Sequence, residues 1–219
     1  MVDPKSFQLS AELHAYLVGH STPISATQAW LIDRTSELGP IAMMQIAPEQ
    51  GRFLTIVTAL LGATNAVEVG TFTGYSSLCI AEGLADGGRL LCCDVSEEWT
   101  AVAHEAWAMA GLGGRIDLRI APAANTLASL PPDPTIDLAF IDADKPGYIS
   151  YWDLLVPRLR PNGLLLVDNV LWGGAVVDSS ATDENTEAIR AFNDHALADE
   201  RMEQVMLPIA DGLLLARKR

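Results

Sequence analysis

The sequence predicts an α/β protein: a doubly wound, mostly parallel sheet of seven strands with helices on both faces, closed by a C-terminal antiparallel hairpin. Three observations predict it. From residue 65 onward, short apolar runs alternate with helix-length segments through five successive steps. Two of those runs, residues 136–145 (IDLAFIDADK) and 163–169 (GLLLVDN), end in acids or an amide and enclose a helix-length stretch at 146–162, the pattern of a parallel βαβ unit. The chain then finishes with two apolar runs on either side of Asp211-Gly212, a hairpin signal.

Taken in order, residues 6–19 place Phe7, Leu9, Leu13, Tyr16 and Leu17 at helical spacing. A second helix is expected over 25–38, capped by Ser25, with Ala29, Ile32 and Leu38 among its apolar positions and Gly39-Pro40 as its stop. Residues 41–47 (IAMMQIA) form an apolar connector of no clear type. Pro48 opens a third helix with Glu49 in its first turn, where a carboxylate suits the helix dipole. Strands follow at 65–70, 89–95 and 115–121, with helices at 73–85 and 96–111, Ser96 capping the latter, and a short helix before the Pro131–Pro134 turn. After the two strands quoted above come a helix over 183–199 and the hairpin. One domain is expected for the 219 residues, with 1–62 a helical part beside the sheet core at 63–219.

The net charge of −14 argues against a nucleic-acid partner, which would need a basic stripe. Cys79, Cys92 and Cys93 lack CxxC spacing, so neither a disulfide framework nor a zinc site is suggested, and Cys92 and Cys93 read as small core hydrophobes. No apolar run approaches a membrane span and the N-terminus has no signal-peptide stretch, so a soluble, cytoplasmic protein is expected. His14, His20, His104 and His195 show no ligand spacing.

Chemistry concentrates at the carboxyl ends of the strands. If the strands ending at Asp142 and Asp168-Asn169 are neighbours, their tips lie about 5 Å apart, and the three side chains converge as oxygen ligands for one hard divalent cation. Three hard ligands leave octahedral positions for substrate and water, which favours Mg²⁺, with Mn²⁺ or Ca²⁺ able to substitute. After the first strand, Gly70 and Gly74 let backbone approach a ligand at the start of a helix. Both the phosphate-loop pattern and GxGxxG are missing, since position 72 is Phe. Glu68 would repel a pyrophosphate but suits a cationic ligand such as a sulfonium amino acid, and Asp94 ends the second strand, where an acid can accept both hydroxyls of a ribose.

EVGTFTGYSS, CDVS, IDADK and LLLVDNVLWGG, in this order and spacing, resemble the cation-dependent O-methyltransferases, the family of catechol and caffeoyl-coenzyme A O-methyltransferases and their bacterial relatives. The resemblance runs from about Met43 to the C-terminus. It implies a class I methyltransferase (Rossmann-like) fold and S-adenosylmethionine as cofactor, with Glu68, Gly70, Thr71, Ser76, Asp94, Ala123 and Asp142 around it. It makes Asp142, Asp168 and Asn169 the metal ligands and places Lys145 at the position of the base for the substrate hydroxyl. It also implies a small catechol-type acceptor and, the family being commonly dimeric, a homodimer for which the apolar N-terminal helices offer an interface. Asp144 is a candidate for contact with cofactor or substrate, and Trp172 for an aromatic wall. Met43 and Met44 match a stretch that borders the active site in the family, although core packing is the simpler expectation. Gly173 replaces a polar residue of the plant enzymes acting on coenzyme A esters, so no such thioester is assigned.

The expected reaction is therefore methylation of one hydroxyl of a vicinal di-hydroxylated aromatic. Two rivals remain: a nucleotide-dependent oxidoreductase, disfavoured by the missing GxGxxG, and a methyltransferase-like binding module without turnover, disfavoured by the complete ligand set.

Overall fold

The computed structural model describes residues 9–219. Its elements are α1 (Ala11–Gly19), α2 (Ala26–Ser36), α3 (Pro48–Leu61), β1 (Asn65–Val69), α4 (Tyr75–Gly83), β2 (Arg89–Asp94), α5 (Glu97–Met109), β3 (Ile116–Ile120), α6 (Ala123–Ser129), β4 (Ile136–Ile141), α7 (Tyr148–Leu155), β5 (Leu159–Val167), α8 (Glu184–Ala198), β6 (Met202–Leu207) and β7 (Leu213–Lys218). The expected start of the first helix, with Phe7, lies outside the described residues. Within them α1 begins at Ala11 because Ser10 caps it, its Oγ accepting from Leu13 N at 3.3 Å.

The seven strands form one sheet in the order β3-β2-β1-β4-β5-β7-β6. Strands β1 to β5 are mutually parallel, and β7 is antiparallel to both β5 and β6. Strand order reverses between β1 and β4, which opens a crevice at their carboxyl ends. Every residue of β4 is buried, as a central parallel strand covered on both faces requires. One face packs Val67, Val69, Ile141 and Val167 against Tyr148, Trp152 and Phe192 of α7 and α8. The other packs Ala66, Cys92, Phe140 and Leu166 against Leu54, Leu78 and Trp107 of α3, α4 and α5.

Three expectations change. On α2, which ends at Ser36 and not at 38, the buried positions are Gln28, Leu31 and Thr35, whereas Ala29 and Ile32, and Leu38 beyond its end, are half-buried. The two polar residues are tolerated there because they find partners: Gln28 donates to Glu82 Oε2 at 3.1 Å and Thr35 to Thr73 Oγ1 at 2.8 Å. The crossover expected at 146–162 is helical only over Tyr148–Leu155, between 3₁₀ turns at Lys145–Gly147 and Val156–Arg158 that each contain a proline. Strand β5 consequently starts at Leu159, four residues before the expected 163, pairing Leu159 with Ile136 across a register shift where Asn162 has φ 63°. The connector over 41–47 is largely a 3₁₀ stretch, Gly39–Met44.

Candidate active site

A cavity of about 1180 Å³ lies at the carboxyl edge over β1 and β4. The turn after β1 forms one wall. Gly70 has φ 90°, and a Cβ there would lie 1.9 Å from the carbonyl oxygen of Asp142, so only glycine lets β1 and β4 close on each other at this point. The turn is fastened to the end of β2 by Asp94. One carboxylate oxygen accepts from Thr71 N (2.9 Å) and Phe72 N (2.8 Å), the other from Val95 N (2.7 Å) and Ser96 N (2.8 Å). Asp94 thus lines the cavity while holding its wall in shape. Phe72 and Trp99, the latter in the first turn of α5, meet edge-on at 5.2 Å and extend this wall. Thr71 lines it as well, its hydroxyl buried and without a partner.

Glu68 is 0 % exposed and does not line the cavity; it sits behind the wall on the α3–α4 side of the sheet. One oxygen accepts from Cys92 Sγ at 3.4 Å and the other has no partner. Burial pushes its carboxyl up to about 7.

The opposite wall carries the acids. Asp142 and Asp168 follow the paired residues Ile141 and Val167 on adjacent strands, and Asp168 N donates to Ile141 O at 3.0 Å. Lys145, 9 % exposed, places its ammonium 2.6 Å from Asn169 Oδ1, 3.3 Å from Asp142 Oδ1 and 2.7 Å from the Tyr148 hydroxyl. Two of the three expected ligand oxygens therefore already face one cationic group. Asp168 Oδ1 accepts from Asn169 N at 2.7 Å, and Asn169 itself has φ 60°. Burial, and then the carboxylate of Asp142, push Asp168 up to about 7. Burial likewise raises Asp142, with Lys145 opposing it. A buried carboxylate at Asp168 beside a half-buried one at Asp142 favours a positive charge between them. The donor set fits a hard cation: two carboxylates, an amide oxygen, and beside them Gln50, wholly buried on the cavity wall with both amide atoms unpartnered. Among the described residues there is no cluster of three His, Cys, Asp or Glu that would offer a different metal site.

The cavity brings together Gly70, Thr71, Ser76, Asp94, Ala123, Asp142, Asp144, Lys145, Asp168, Asn169, Trp172 and Met43, leaving Glu68 as the residue set back from it. Asp144 accepts from the Tyr151 hydroxyl at 2.6 Å. Trp172 adopts φ 47°, and its ring centroid lies 5.5 Å from the Lys145 ammonium. Met43 overturns the packing expectation: it is 87 % exposed, because the 3₁₀ stretch carries it to the cavity wall instead of into the core.

Sequence reasoning passed over Gln50, Tyr148, Tyr151, Trp99 and Asp211. Asp211 lines the cavity, accepts from Gly173 N, and faces Asn169 Nδ2 at 3.4 Å. Its Asp-Gly setting was accounted for by the hairpin turn alone, which hid this second role.

The model of the O-methyltransferase family matches residues 20–219. "Probable caffeoyl-CoA O-methyltransferase 1" of Dictyostelium discoideum is 42% identical over 207 residues, covering 93% of this chain and 90% of that protein. Caffeoyl-CoA O-methyltransferase 2 of Zea mays is 33% identical over 228 residues, covering 99% and 86%. Among solved structures, the O-methyltransferase from Bacillus cereus in complex with SAH superposes with a TM-score of 0.87 at 27% identity, over 95% of this chain and 97% of that one. The SAH-bound methyltransferase of Podospora anserina gives 0.87 at 26%, over 100% and 99%. With a family model spanning the sheet, the crevice and the hairpin, and relatives above 30% identity over most of their length, this chain belongs to the O-methyltransferase family.

Proposed function

We propose that the protein transfers a methyl group from S-adenosylmethionine to one hydroxyl of a vicinal di-hydroxylated aromatic, with a divalent cation, Mg²⁺ by the hardness of its ligands, held by Asp142, Asp168 and Asn169. The observation that carries this reading is the convergence of Asp142 and Asn169 on the Lys145 ammonium, across the switch-point crevice from the glycine turn. The donor side rests on Gly70, Thr71, Ser76, Asp94, Ala123 and Asp142, and on the SAH or SAM bound in structural relatives.

Transfer from a sulfonium to an oxygen is an in-line displacement, so the chain's first task is alignment. The turn at Gly70 fixes one reactant and the tips of β4 and β5 the other; holding both at near-attack distance contributes on the order of 7 kcal/mol or more in good cases. Trp172, Met43 and Met44 supply an apolar wall for a planar ring. When bound, the divalent cation supplies positive charge that lowers the acceptor hydroxyl's pKa and fixes its direction. Lys145 Nζ, in its neutral amine form, is the group positioned to take the proton and become the ammonium, held in place by Asn169, Tyr148 and Asp142. The exposed apolar face of α1 is proposed as the pairing surface of a homodimer.

The test is methylation of catechol acceptors with and without EDTA, alongside Asp168→Ala. Chelation and the substitution should each abolish turnover while S-adenosylmethionine still binds. Turnover that survives full chelation would refute the metal-dependent reading.

A further inference from the structure

Buried side-chain atoms without a hydrogen-bond partner gather on the cavity wall: Gln45 Oε1, both amide atoms of Gln50, and the hydroxyls of Thr71 and Tyr75. Buried polar groups are partnered in the great majority of cases, so each such atom calls for a ligand or a structural reason. Gln50 is the extreme member. It is 0 % exposed, in the first turn of α3, and lacks a partner at both ends of its carboxamide. Its backbone has little room to adjust: a Cβ on Gly51 would stand 2.7 Å from the Tyr75 ring and 2.8 Å from Cys79 Sγ, so α3 is pressed onto α4 at the very next residue. The amide lies on the Asp168 side of the wall, where it opposes the upward shift that burial gives that carboxylate without completing a hydrogen bond to it. Gln28 shows a buried glutamine that serves the fold alone. It is 1 % exposed, its Nε2 donates to Glu82 Oε2 at 3.1 Å, and its Oε1 accepts from Ser25 N at 2.8 Å. The same side chain, equally buried, is satisfied on α2 and unsatisfied on α3.

We propose that Gln50 is a positioning residue for the divalent cation: its Nε2 donates to Asp168 and turns that carboxylate toward the ion, while its Oε1 accepts from the ion's water shell. The inference rests on the reading of Asp142, Asp168 and Asn169 as the cation's ligands and names the group that stands behind them. A carboxamide suits this task. Three protein oxygens leave coordination positions for water and substrate, and water on a hard cation is a strong donor that needs acceptors around it. A carboxamide donates to an acid at one end and accepts at the other. It does so without charge: a glutamate here would set a third negative charge near Asp142 and Asp168, and a lysine or arginine would pair with those acids in the cation's place. An amide held unsatisfied in a rigid wall lowers the stability of the fold, and ion binding offsets that cost.

The experiment is Mn²⁺ titration followed by electron paramagnetic resonance, with thermal melts in EDTA, on the parent, Gln50→Met, Gln28→Met and Asp168→Ala. Methionine keeps the length of glutamine and removes both polar atoms. Gln50→Met should weaken Mn²⁺ binding at least tenfold, as removal of a group that orients a ligand does. In EDTA it should melt no lower than the parent, because no hydrogen bond is lost. Gln28→Met should do the reverse, melting several degrees lower with Mn²⁺ affinity unchanged. Calorimetric titration with S-adenosylmethionine in EDTA should give one affinity for the parent and Gln50→Met. A Gln50→Met protein that binds Mn²⁺ like the parent overturns the inference, and so does one that melts lower, fails to fold, or loses S-adenosylmethionine instead of Mn²⁺. Loss of Mn²⁺ by Asp168→Ala in the same series then leaves the metal site standing. A parent protein that takes up no Mn²⁺ removes the metal site and the inference with it.

Discussion

Glu68 is buried with one carboxylate oxygen unpartnered, and burial pushes it from its ordinary value of 4.5 up to about 7. Below pH 4.5 both the folded and unfolded chains hold this proton. Between 4.5 and about 7 the unfolded chain releases it and the folded one keeps it, so this group lowers stability progressively as pH rises through that window, by on the order of 3 kcal/mol in total. Glu68→Gln removes the titration and keeps the shape. Its melting temperature should therefore rise relative to the parent by several degrees between pH 5 and pH 8; a constant difference in thermal melts would show the acid already ionised at pH 5. Asp211 makes a second prediction at this scale. The Lys145 ammonium requires Asn169 Oδ1 and the Asp211 carboxylate faces Nδ2, so the two flank the amide and set its orientation. Asp211→Ala should weaken Mn²⁺ binding by roughly 10- to 100-fold, the usual effect of removing a group that orients a ligand, while Asp211→Asn, which still accepts a hydrogen bond, should lose much less. Mn²⁺ titration followed by electron paramagnetic resonance reads both. The acids at 142 and 168 were legible because a carboxylate ending an apolar run needs a partner that the run itself cannot supply. Gln50 and Asp211 were not, because a helical glutamine and a turn aspartate each already have an ordinary explanation.

At the scale of elements, the strand-to-helix turn after β1 decides whether the crevice exists. Gly70→Ala places a Cβ against the Asp142 carbonyl and asks alanine for φ 90°, so it should cost on the order of 3 kcal/mol and abolish S-adenosylmethionine binding. Gly39 also has positive φ (73°) but open space around it, and Gly39→Ala should cost about 1 kcal/mol and leave binding intact. Calorimetric titration with the cofactor and chemical denaturation separate the two cases; equal losses would remove the steric argument. Element types followed from periodicity nearly everywhere, since the central strands carry apolar runs bounded by turn residues and the edge strand β3 alternates apolar with charged residues (IDLRI). The boundaries that moved, at α7 and β5, moved where proline and Asn162-Gly163 admit either a turn or a bulged strand. Pairing with Ile136 decided the question.

For the whole molecule, α1 has no buried residue, and Leu13, Tyr16 and Leu17 are 41, 64 and 38 % exposed. A helix this apolar gains little from solvent contact, and burying such side chains between two copies contributes about 25 cal/mol per Å². On the proposed pairing through α1, the parent should sediment as a dimer, and replacing Leu13 and Leu17 together by Glu should convert it to a monomer in sedimentation velocity with the fold retained. A parent protein that is already monomeric at micromolar concentration would exclude this pairing surface.

The sequence by itself determined the alternation of strands and helices, the closing hairpin and the strand-end acids, because these follow from local periodicity and from the cost of burying charge inside an apolar run. Only the tertiary structure decided that Asp211 reaches the Asn169 amide, that Glu68 stands behind the wall, that Met43 faces the cavity, and that five aspartates line the same cavity as one lysine. Those facts depend on which chain ends meet at the crevice between β1 and β4. That meeting is set by strand order, a property of long-range pairing that no stretch of sequence carries alone.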